Sequence, residues 1–179
     1  MRKPGNDDPV LLYVLHMEGA VPHPTLDELD LRILAQLQAD SGLSNLELAG
    51  RVHASPPTCL RRVHKLREQG YIQKQVAILD PQKLGSCLTA IIEVTLERQG
   101  AEHLAAFESH IADEADVTQC YRVSSGPDFV LIVCVADMAA YHAMVHRALT
   151  TQRNVRNVRS FFTVYRSKFD TRLPLPKAG

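Results

Sequence analysis

Apolar residues first recur at helical spacing over residues 26–40. They stand three or four positions apart on one side of a predicted helix, and acidic residues occupy its first turn, where the helix dipole favours negative charge. Ser41 and Gly42 then break the periodicity. A shorter helix is predicted over residues 45–52, because Ser44 and Glu47 have the identity and the spacing of a capping box.

A third helix is predicted over residues 56–69, after only His53 and Ala54. Ser55 can cap it, and Pro56 suits its first position because a proline there loses no hydrogen bond. Gly70 ends it. We expect three apolar residues to form its core stripe: Leu60, Val63 and Leu66. Three helices whose second and third members are joined by a tight turn are typical of a helix-turn-helix.

The pattern changes beyond the third helix. Residues 71–79 alternate, which predicts a short wing or connecting strand. From Ser86, β-prone runs predict strands at residues 88–96, 118–123, 129–135 and 155–165, and helical runs predict helices at residues 101–112 and 138–149. This βαββαβ order is the ferredoxin-like arrangement. The predicted domains are an extension (1–24), a helix-turn-helix domain (25–80), a linker (81–85), a ferredoxin-like domain (86–168) and a tail (169–179).

An antiparallel four-stranded sheet with both helices on one side leaves its other side uncovered. Alternation gives candidates for that side without settling which way each one faces: Ile91, Val94, Val130, Ile132 and Phe161. An uncovered apolar sheet predicts a partner, most simply a second copy of the chain.

Composition sets limits on the function. The 179 residues contain 20 Lys and Arg against 20 Asp and Glu, so no overall charge indicates a polyanion partner. The longest apolar stretch near the N-terminus, residues 10–15, is too short for a signal peptide or a membrane span, and we predict a cytoplasmic protein with no membrane partner. The four cysteines are far apart in the sequence, which favours reduced thiols: Cys59, Cys87, Cys120 and Cys134. We expect Cys59 to be buried against the first helix.

Positive charge is concentrated in the third helix. Residues 56–69 hold four basic residues and one acidic residue, a net formal charge of +3. Its predicted outer side can enter a DNA major groove, where Arg or Lys pairs with guanine and Thr contacts a phosphate or a thymine methyl. Ser55 and the first N–H groups of the helix are expected to hold a phosphate. The predicted DNA-binding residues are Ser44, Ser55, Pro56, Thr58, Arg61, Arg62 and Lys65. A merely solvated basic face is the alternative.

These residues resemble the Lrp/AsnC (feast/famine) family of transcriptional regulators over about residues 25–168. The motifs are D-x-x-D-x-x-I-L at residues 27–34, S-N-x-E-L-A at 44–49, S-P-x-x-C-x-x-R-V-x-x-L at 55–66 and G-[FY]-I at 70–72. The resemblance implies an α+β chain, with an N-terminal winged helix-turn-helix followed by a βαββαβ ferredoxin-like (RAM-type) effector and oligomerisation domain. It also implies double-stranded DNA as partner, an amino acid or related small molecule as effector, and a homodimer that assembles into tetramers or octamers.

The resemblance places the ligand loop at residues 123–129, where the family usually has V-[ST]-G-x-x-D-[FY]. Backbone N–H groups of a glycine-containing loop can approach a carboxylate, and Asp128 can accept a hydrogen bond from an α-ammonium. Here Ser125 takes the usual glycine position and Gly126 follows it. With three residues added by resemblance, the effector candidates are Ser124, Ser125, Gly126, Pro127, Asp128, Met138, Phe162 and Thr163. An ordinary turn is the alternative for residues 125–128.

The sequence contains no Gly-rich phosphate loop, nucleophile elbow or paired-carboxylate motif. We therefore predict that the protein is not an enzyme and that it binds no cofactor. His142 and His146 have a metal-sharing spacing, but no acidic residue between them completes the zinc motif, and surface histidines are favoured. The leading hypothesis is a sequence-specific transcriptional regulator that responds to an amino acid. Its alternatives are an architectural DNA-binding protein, or a metabolite-binding enzyme or sensor without DNA binding.

Overall fold

The computed structural model describes residues 26–81, 83–85 and 88–176. The chain divides into two compact units. Among the described residues, one unit, called the helical unit, combines residues 26–79 with residues 168–176, and the other, called the sheet unit, contains residues 80–81, 83–85 and 88–167. The predicted N-terminal extension and Cys87 lie outside the described residues. Within the described part of the chain, no helix is long and apolar enough to cross a membrane.

The helical unit contains three helices: α1 (Glu28–Ala39), α2 (Asn45–Arg51) and α3 (Pro56–Glu68). The predicted capping box of Ser44 and Glu47 and the predicted cap at Ser55 are both confirmed. Their core holds Ile33, Leu34, Leu48, Ala49, Val52, Cys59, Val63 and Leu66. Leu60 was predicted in this core but is 48% exposed. The buried side of α3 is formed instead by Cys59, Val63 and Leu66. Cys59 is fully buried, as expected.

The turn between α2 and α3 is tight because one residue takes an unusual backbone conformation. His53 has a φ of 54°, in the left-handed region that non-glycine residues rarely adopt. The N–H of Ala54 donates back to the carbonyl of Ala49 at 3.0 Å. The chain therefore reverses within two residues and brings the start of α3 beside α2.

Residues 71–79 do not form the predicted strand. The N–H groups of Tyr71 and Ile72 both donate to the Leu66 carbonyl, at 2.9 and 3.3 Å, and the chain then runs on without regular secondary structure. Arg67 donates to the Gln75 side chain, which itself donates to the Ser41 carbonyl at 3.4 Å. The alternation does not lead to a strand here, because no described segment of the unit pairs with these residues.

The C-terminal residues 168–176 belong to the helical unit. Leu175 packs against the core of the three helices. The N–H of Leu173 donates to Gln38 Oε1 at 2.6 Å, and Gln38 Nε2 donates to the Leu173 carbonyl at 3.3 Å. The helical unit is therefore discontinuous in sequence, and the described part of the sheet unit lies between its two parts along the chain.

The sheet unit has the predicted βαββαβ order: β1 (Leu88–Leu96), α4 (Ala101–Ala112), β2 (Val117–Arg122), β3 (Phe129–Val135), α5 (Met138–Val145) and β4 (Val155–Phe162). The four strands are antiparallel neighbours in the order β2-β3-β1-β4. A π-helical turn, His146–Thr150, continues α5 and replaces the last turn of the predicted α-helix. The last strand ends at Phe162, three residues before its predicted end.

The two sides of the sheet differ in cover. Alternate residues of β1 and β3 are buried beneath α4 and α5: Ala90, Ile92, Val94, Leu96, Phe129, Leu131, Val133 and Val135. Val94 was predicted as a candidate for the uncovered side. That prediction is wrong, because its side chain is fully buried with this set. Ile91 and Phe161, which are paired across β1 and β4, are 37% and 45% exposed on the other side.

The cysteines only partly follow the prediction of reduced thiols. Cys59 and Cys120 are free. Cys134 is disulfide-bonded, so the prediction is wrong for this residue. Burial raises the pKa of the Cys59 thiol, which keeps it protonated and unreactive at neutral pH.

Candidate nucleic-acid interface and small-molecule site

The exposed side of α3 presents a small set of polar and basic side chains. Arg61 and Lys65 are exposed one turn apart, and Thr58 lies half-buried one turn before Arg61. Among the described residues, neither Arg61 nor Lys65 has a hydrogen bond or ion pair that would hold its charge. These two cations can therefore reach a phosphate or a guanine edge without breaking an existing interaction.

Arg62 does not join this exposed set. Its Nη1 donates to Asp27 Oδ2 at 2.6 Å and to both carboxylate oxygens of Asp30 at 3.2 Å, and its side chain is only 22% exposed. Asp27 and Asp30 form the capping box of α1. The guanidinium is thus directed towards α1 instead of outwards, which corrects the prediction that Arg61 and Arg62 face DNA together.

The first four positions of helix α3 leave no N–H group free for a phosphate. Pro56 and Pro57 have no amide hydrogen, the N–H of Thr58 donates to Ser55 Oγ at 3.4 Å, and that of Cys59 donates to the Ser55 carbonyl at 2.9 Å. This part of the prediction is wrong, and Pro57 was the signal against it. Ser55 Oγ also donates to Thr58 Oγ1 at 2.8 Å, so both hydroxyls belong to the cap.

The start of α2 is fixed to the start of α3. Asn45 Nδ2 donates to the Pro56 carbonyl at 2.9 Å. The predicted DNA-binding residue Ser44 is occupied by its capping box, in which its hydroxyl and its N–H both donate to Glu47 Oε2, at 2.7 and 2.8 Å. These bonds lower the pKa of the Glu47 carboxyl, and they keep it charged at neutral pH. Sequence reasoning missed Asn45, because a helix N1 asparagine has no spacing signal of its own.

In the sheet unit, the loop before β3 is exposed at its tip. Ser124, Ser125 and Gly126 are exposed, and Gly126 has a φ of 88°, which favours glycine. Pro127 and Asp128 are half-buried. Asp128 Oδ2 accepts from the Leu96 N–H at 2.6 Å and from Gln99 Nε2 at 3.3 Å. This carboxylate therefore fixes the end of β1, and its Oδ1 is the atom left for a ligand ammonium.

The other candidate effector residues lie at the start of α5 and at the end of β4. Met138 and Phe162 are 44% and 40% exposed, and the Phe162 ring packs edge-on against Tyr141 with 4.9 Å between ring centroids. Tyr141 also donates to the Ser160 hydroxyl, which joins α5 to β4. Thr163 is held by Thr89, whose carbonyl accepts from its N–H at 2.9 Å and from its hydroxyl at 3.1 Å.

The two groups of effector candidates occupy opposite ends of one strand. The loop residues 124–128 precede β3, whereas Met138 follows its end and Phe162 lies in register with Ala90 near that end. Six residue steps along β3 span about 20 Å at about 3.3 Å per residue. One copy of the chain cannot bring both groups around one amino acid.

No group of three or more His, Cys, Asp or Glu side chains in the described part of the chain is placed to hold a metal ion. His142 lies in α5 and His146 in the π-helical turn that follows.

Two family models match the chain. "Winged helix-turn-helix DNA-binding" matches residues 26–73, and "Lrp/AsnC ligand binding domain" matches residues 89–173. The second match extends past β4 into the C-terminal residues that belong to the helical unit. Both halves of the observed fold are therefore covered.

Relatives of similar length also match. The Bkd operon transcriptional regulator of Pseudomonas aeruginosa is 38% identical over 78% of this chain and 91% of its own length. The leucine-responsive regulatory protein of Escherichia coli is 34% identical over 85% of this chain and 93% of its own. Among solved structures, a transcriptional regulator from Neisseria meningitidis in complex with L-methionine has a TM-score of 0.78 at 31% identity, covering 84% of this chain and 97% of that one.

Proposed function

Because this chain belongs to the Lrp/AsnC family of transcriptional regulators, we propose that it reads double-stranded DNA with the exposed side of α3 and senses an amino acid in its sheet unit. The observation that carries the DNA part is the pair of exposed, unengaged cations Arg61 and Lys65 on a helix-turn-helix. Arg61 is the residue we assign to a base edge, with Lys65 and Thr58 at phosphates or a thymine methyl.

A titration with fluorescent DNA tests this proposal. The DNA upstream of the protein's own gene should bind more tightly than a scrambled duplex at the same salt concentration, because base contacts add to the charge-driven binding that all DNA shares. Replacing Arg61 by Ala should weaken specific binding by about 1 to 3 kcal/mol if it reads a base.

Arg32→Ala is the matched control. It removes the same charge from the same unit, but Arg32 lies on α1 in an exposed ion pair with Glu28 at 2.9 Å. We expect its specific affinity to stay close to that of the unchanged protein. Equal affinity for own and scrambled DNA would reject sequence-specific regulation and favour an architectural role, in which binding depends on salt but little on sequence.

For the sheet unit we propose an amino-acid site shared between copies of the chain. The exposed loop 124–126 of one copy would supply backbone N–H groups to the ligand carboxylate, and Met138 and Phe162 of another copy would pack against its side chain. The separation of these two groups along β3 supports a shared site. The uncovered apolar side of the sheet supports a homodimer as the basic assembly.

A mixing experiment distinguishes a shared site from a site within one copy. L-Methionine and L-leucine serve as probes, with calorimetry as the readout. Gly126→Val and Met138→Asp should each abolish binding when every copy carries the same change. Refolding the two variants together should restore about a quarter of the sites if each needs one loop and one helix from different copies at random. No restored binding would favour a site within one copy.

A further inference from the structure

Arg62 lies on the border between the buried and the exposed sides of α3. It is one residue after Arg61, which corresponds to a rotation of about 100° around the helix towards the buried stripe. Its neighbour Val63 is 7% exposed, whereas Arg61 is exposed. From this position a long side chain can either extend to the surface or turn towards α1, and it does the latter.

The partners of Arg62 are two carboxylates that already have another role. Asp27 Oδ1 accepts from the Asp30 N–H at 2.9 Å, and Asp30 Oδ2 accepts from the Asp27 N–H at 3.3 Å, which closes the N-terminus of α1. Asp30 is only 3% exposed. The Asp30 N–H and then Arg62 lower the pKa of the Asp27 carboxyl. Two adjacent negative charges are thus stabilised by a cation that comes from α3.

This arrangement has a geometric consequence. A guanidinium that contacts both carboxylates is restricted in direction as well as in distance. Because Arg62 is part of α3 and the two carboxylates are part of the first turn of α1, their contact restricts how α3 can rotate about its own axis. The directions of Arg61 and Lys65 change with that rotation.

We propose that Arg62 is a positioning residue for DNA binding: held by Asp27 and Asp30, it fixes the rotation of α3 so that Arg61 and Lys65 face the groove, and it does not contact DNA itself. This inference rests on the proposed role of α3 in DNA binding. It separates two adjacent arginines by function, with Arg61 as the reader and Arg62 as its support.

The salt dependence of DNA affinity tests the assignment. Each phosphate contact contributes close to one unit to the slope of log affinity against log salt concentration. Arg62→Met should weaken specific binding by about tenfold, a loss typical of one misplaced specific contact, while leaving this slope unchanged. A residue bound to phosphate would instead lower the slope by about one unit. Both proteins are compared well below their unfolding temperatures, so that a change in stability alone does not alter the affinity.

Asp30→Asn gives a second test, in which the positioning role and a simple effect of net charge predict opposite changes in DNA affinity. Removing a negative charge near α3 should strengthen binding to a polyanion if only the net charge matters. The positioning role predicts weaker specific binding, because Arg62 loses a charged partner. Asp27→Asn is the milder variant, since Asn still caps a helix and Asp27 is half-exposed. It should give a smaller loss in the same direction if Asp30→Asn does not fold.

Arg32→Met is the control for both changes, and it should leave affinity and slope close to those of the unchanged protein. A slope lowered by one unit in Arg62→Met would overturn the inference in favour of a phosphate contact. An unchanged affinity in Arg62→Met and Asp30→Asn would overturn it in favour of a role in stability alone. If the unchanged protein itself shows no preference for any DNA sequence, the proposed function and this inference both fail.

Discussion

His53 shows how much one residue contributes to the helix-turn-helix. Its φ of 54° lies in a region that costs an ordinary L-residue about 1 to 2 kcal/mol, and apart from glycine it is entered most often by Asn, Asp and His. His53→Asn should therefore leave the free energy of unfolding close to its original value. His53→Val should lower it by about 1 to 2 kcal/mol, because a β-branched side chain is least compatible with this conformation.

Urea unfolding followed by circular dichroism checks this expectation. His64→Val is a suitable control, since His64 is exposed on regular α-helix two turns into α3. Its loss should be limited to the small difference in helix propensity. Equal stability of His53→Val and His53→Asn would show that the turn does not constrain the backbone in solution.

The two adjacent arginines show where residue-level prediction from sequence ends. Periodicity placed Thr58, Arg61 and Lys65 on one side of α3, and the structure leaves Arg61 and Lys65 unengaged there. It could not separate Arg62 from them, because the direction of a long side chain on the border of a helix depends on what the neighbouring helix presents. Here that is the capping box of α1, which a sequence pattern identifies as a local feature only.

At the scale of elements, prediction was accurate where burial dictates the pattern. The bounds of β1 and β3 were predicted without error, because both strands are central and one side of each is fully buried. The chain beyond Phe162 also has strand-forming residues, yet Val164 is fully exposed and no strand in the described part of the chain pairs with it. Residues 71–79 failed in the same way. Strand propensity indicates an extended backbone, whereas a strand needs a partner.

The uncovered side of the sheet gives the prediction at this scale. Ile91 and Phe161 face each other across β1 and β4, beside the Arg159–Glu93 ion pair with 3.3 Å between Nη1 and Oε2. Ile91→Asp should convert a dimer to a monomer, because burying an unpaired carboxylate in an interface costs several kcal/mol.

Sedimentation velocity at micromolar concentration measures this change. Ala105→Asp adds the same charge on the exposed part of α4 and should leave the assembly unchanged. A dimer that persists in Ile91→Asp would place the interface on another surface.

At the scale of the whole molecule, the helical unit contains residues that come before and residues that come after residues 80–167 in the sequence. Gln38→Ala removes both hydrogen bonds to Leu173, and Leu175→Asp places a charge against the helical core. Each should increase hydrogen exchange in α1 and α3 while leaving β1 and β3 unchanged, because the lost contacts belong to the helical unit alone.

Gln36→Ala is the matched control for Gln38, since it lies on the same helix and its side chain makes no hydrogen bond to the described part of the chain. Mass spectrometry of the exchanged protein separates the two units. Identical exchange in Leu175→Asp and the unchanged protein would show that residues 168–176 are not docked in solution.

The position of the sheet unit in the sequence also determines when the helical unit can finish folding during synthesis. The three helices leave the ribosome well before residues 168–176, which follow the entire sheet unit along the chain. The DNA-binding half can begin to fold first, but it receives Leu173 and Leu175 only after the sensing half has been translated. A nascent chain whose synthesis stops within the sheet unit would therefore contain α3, but its helical unit would still lack residues 168–176.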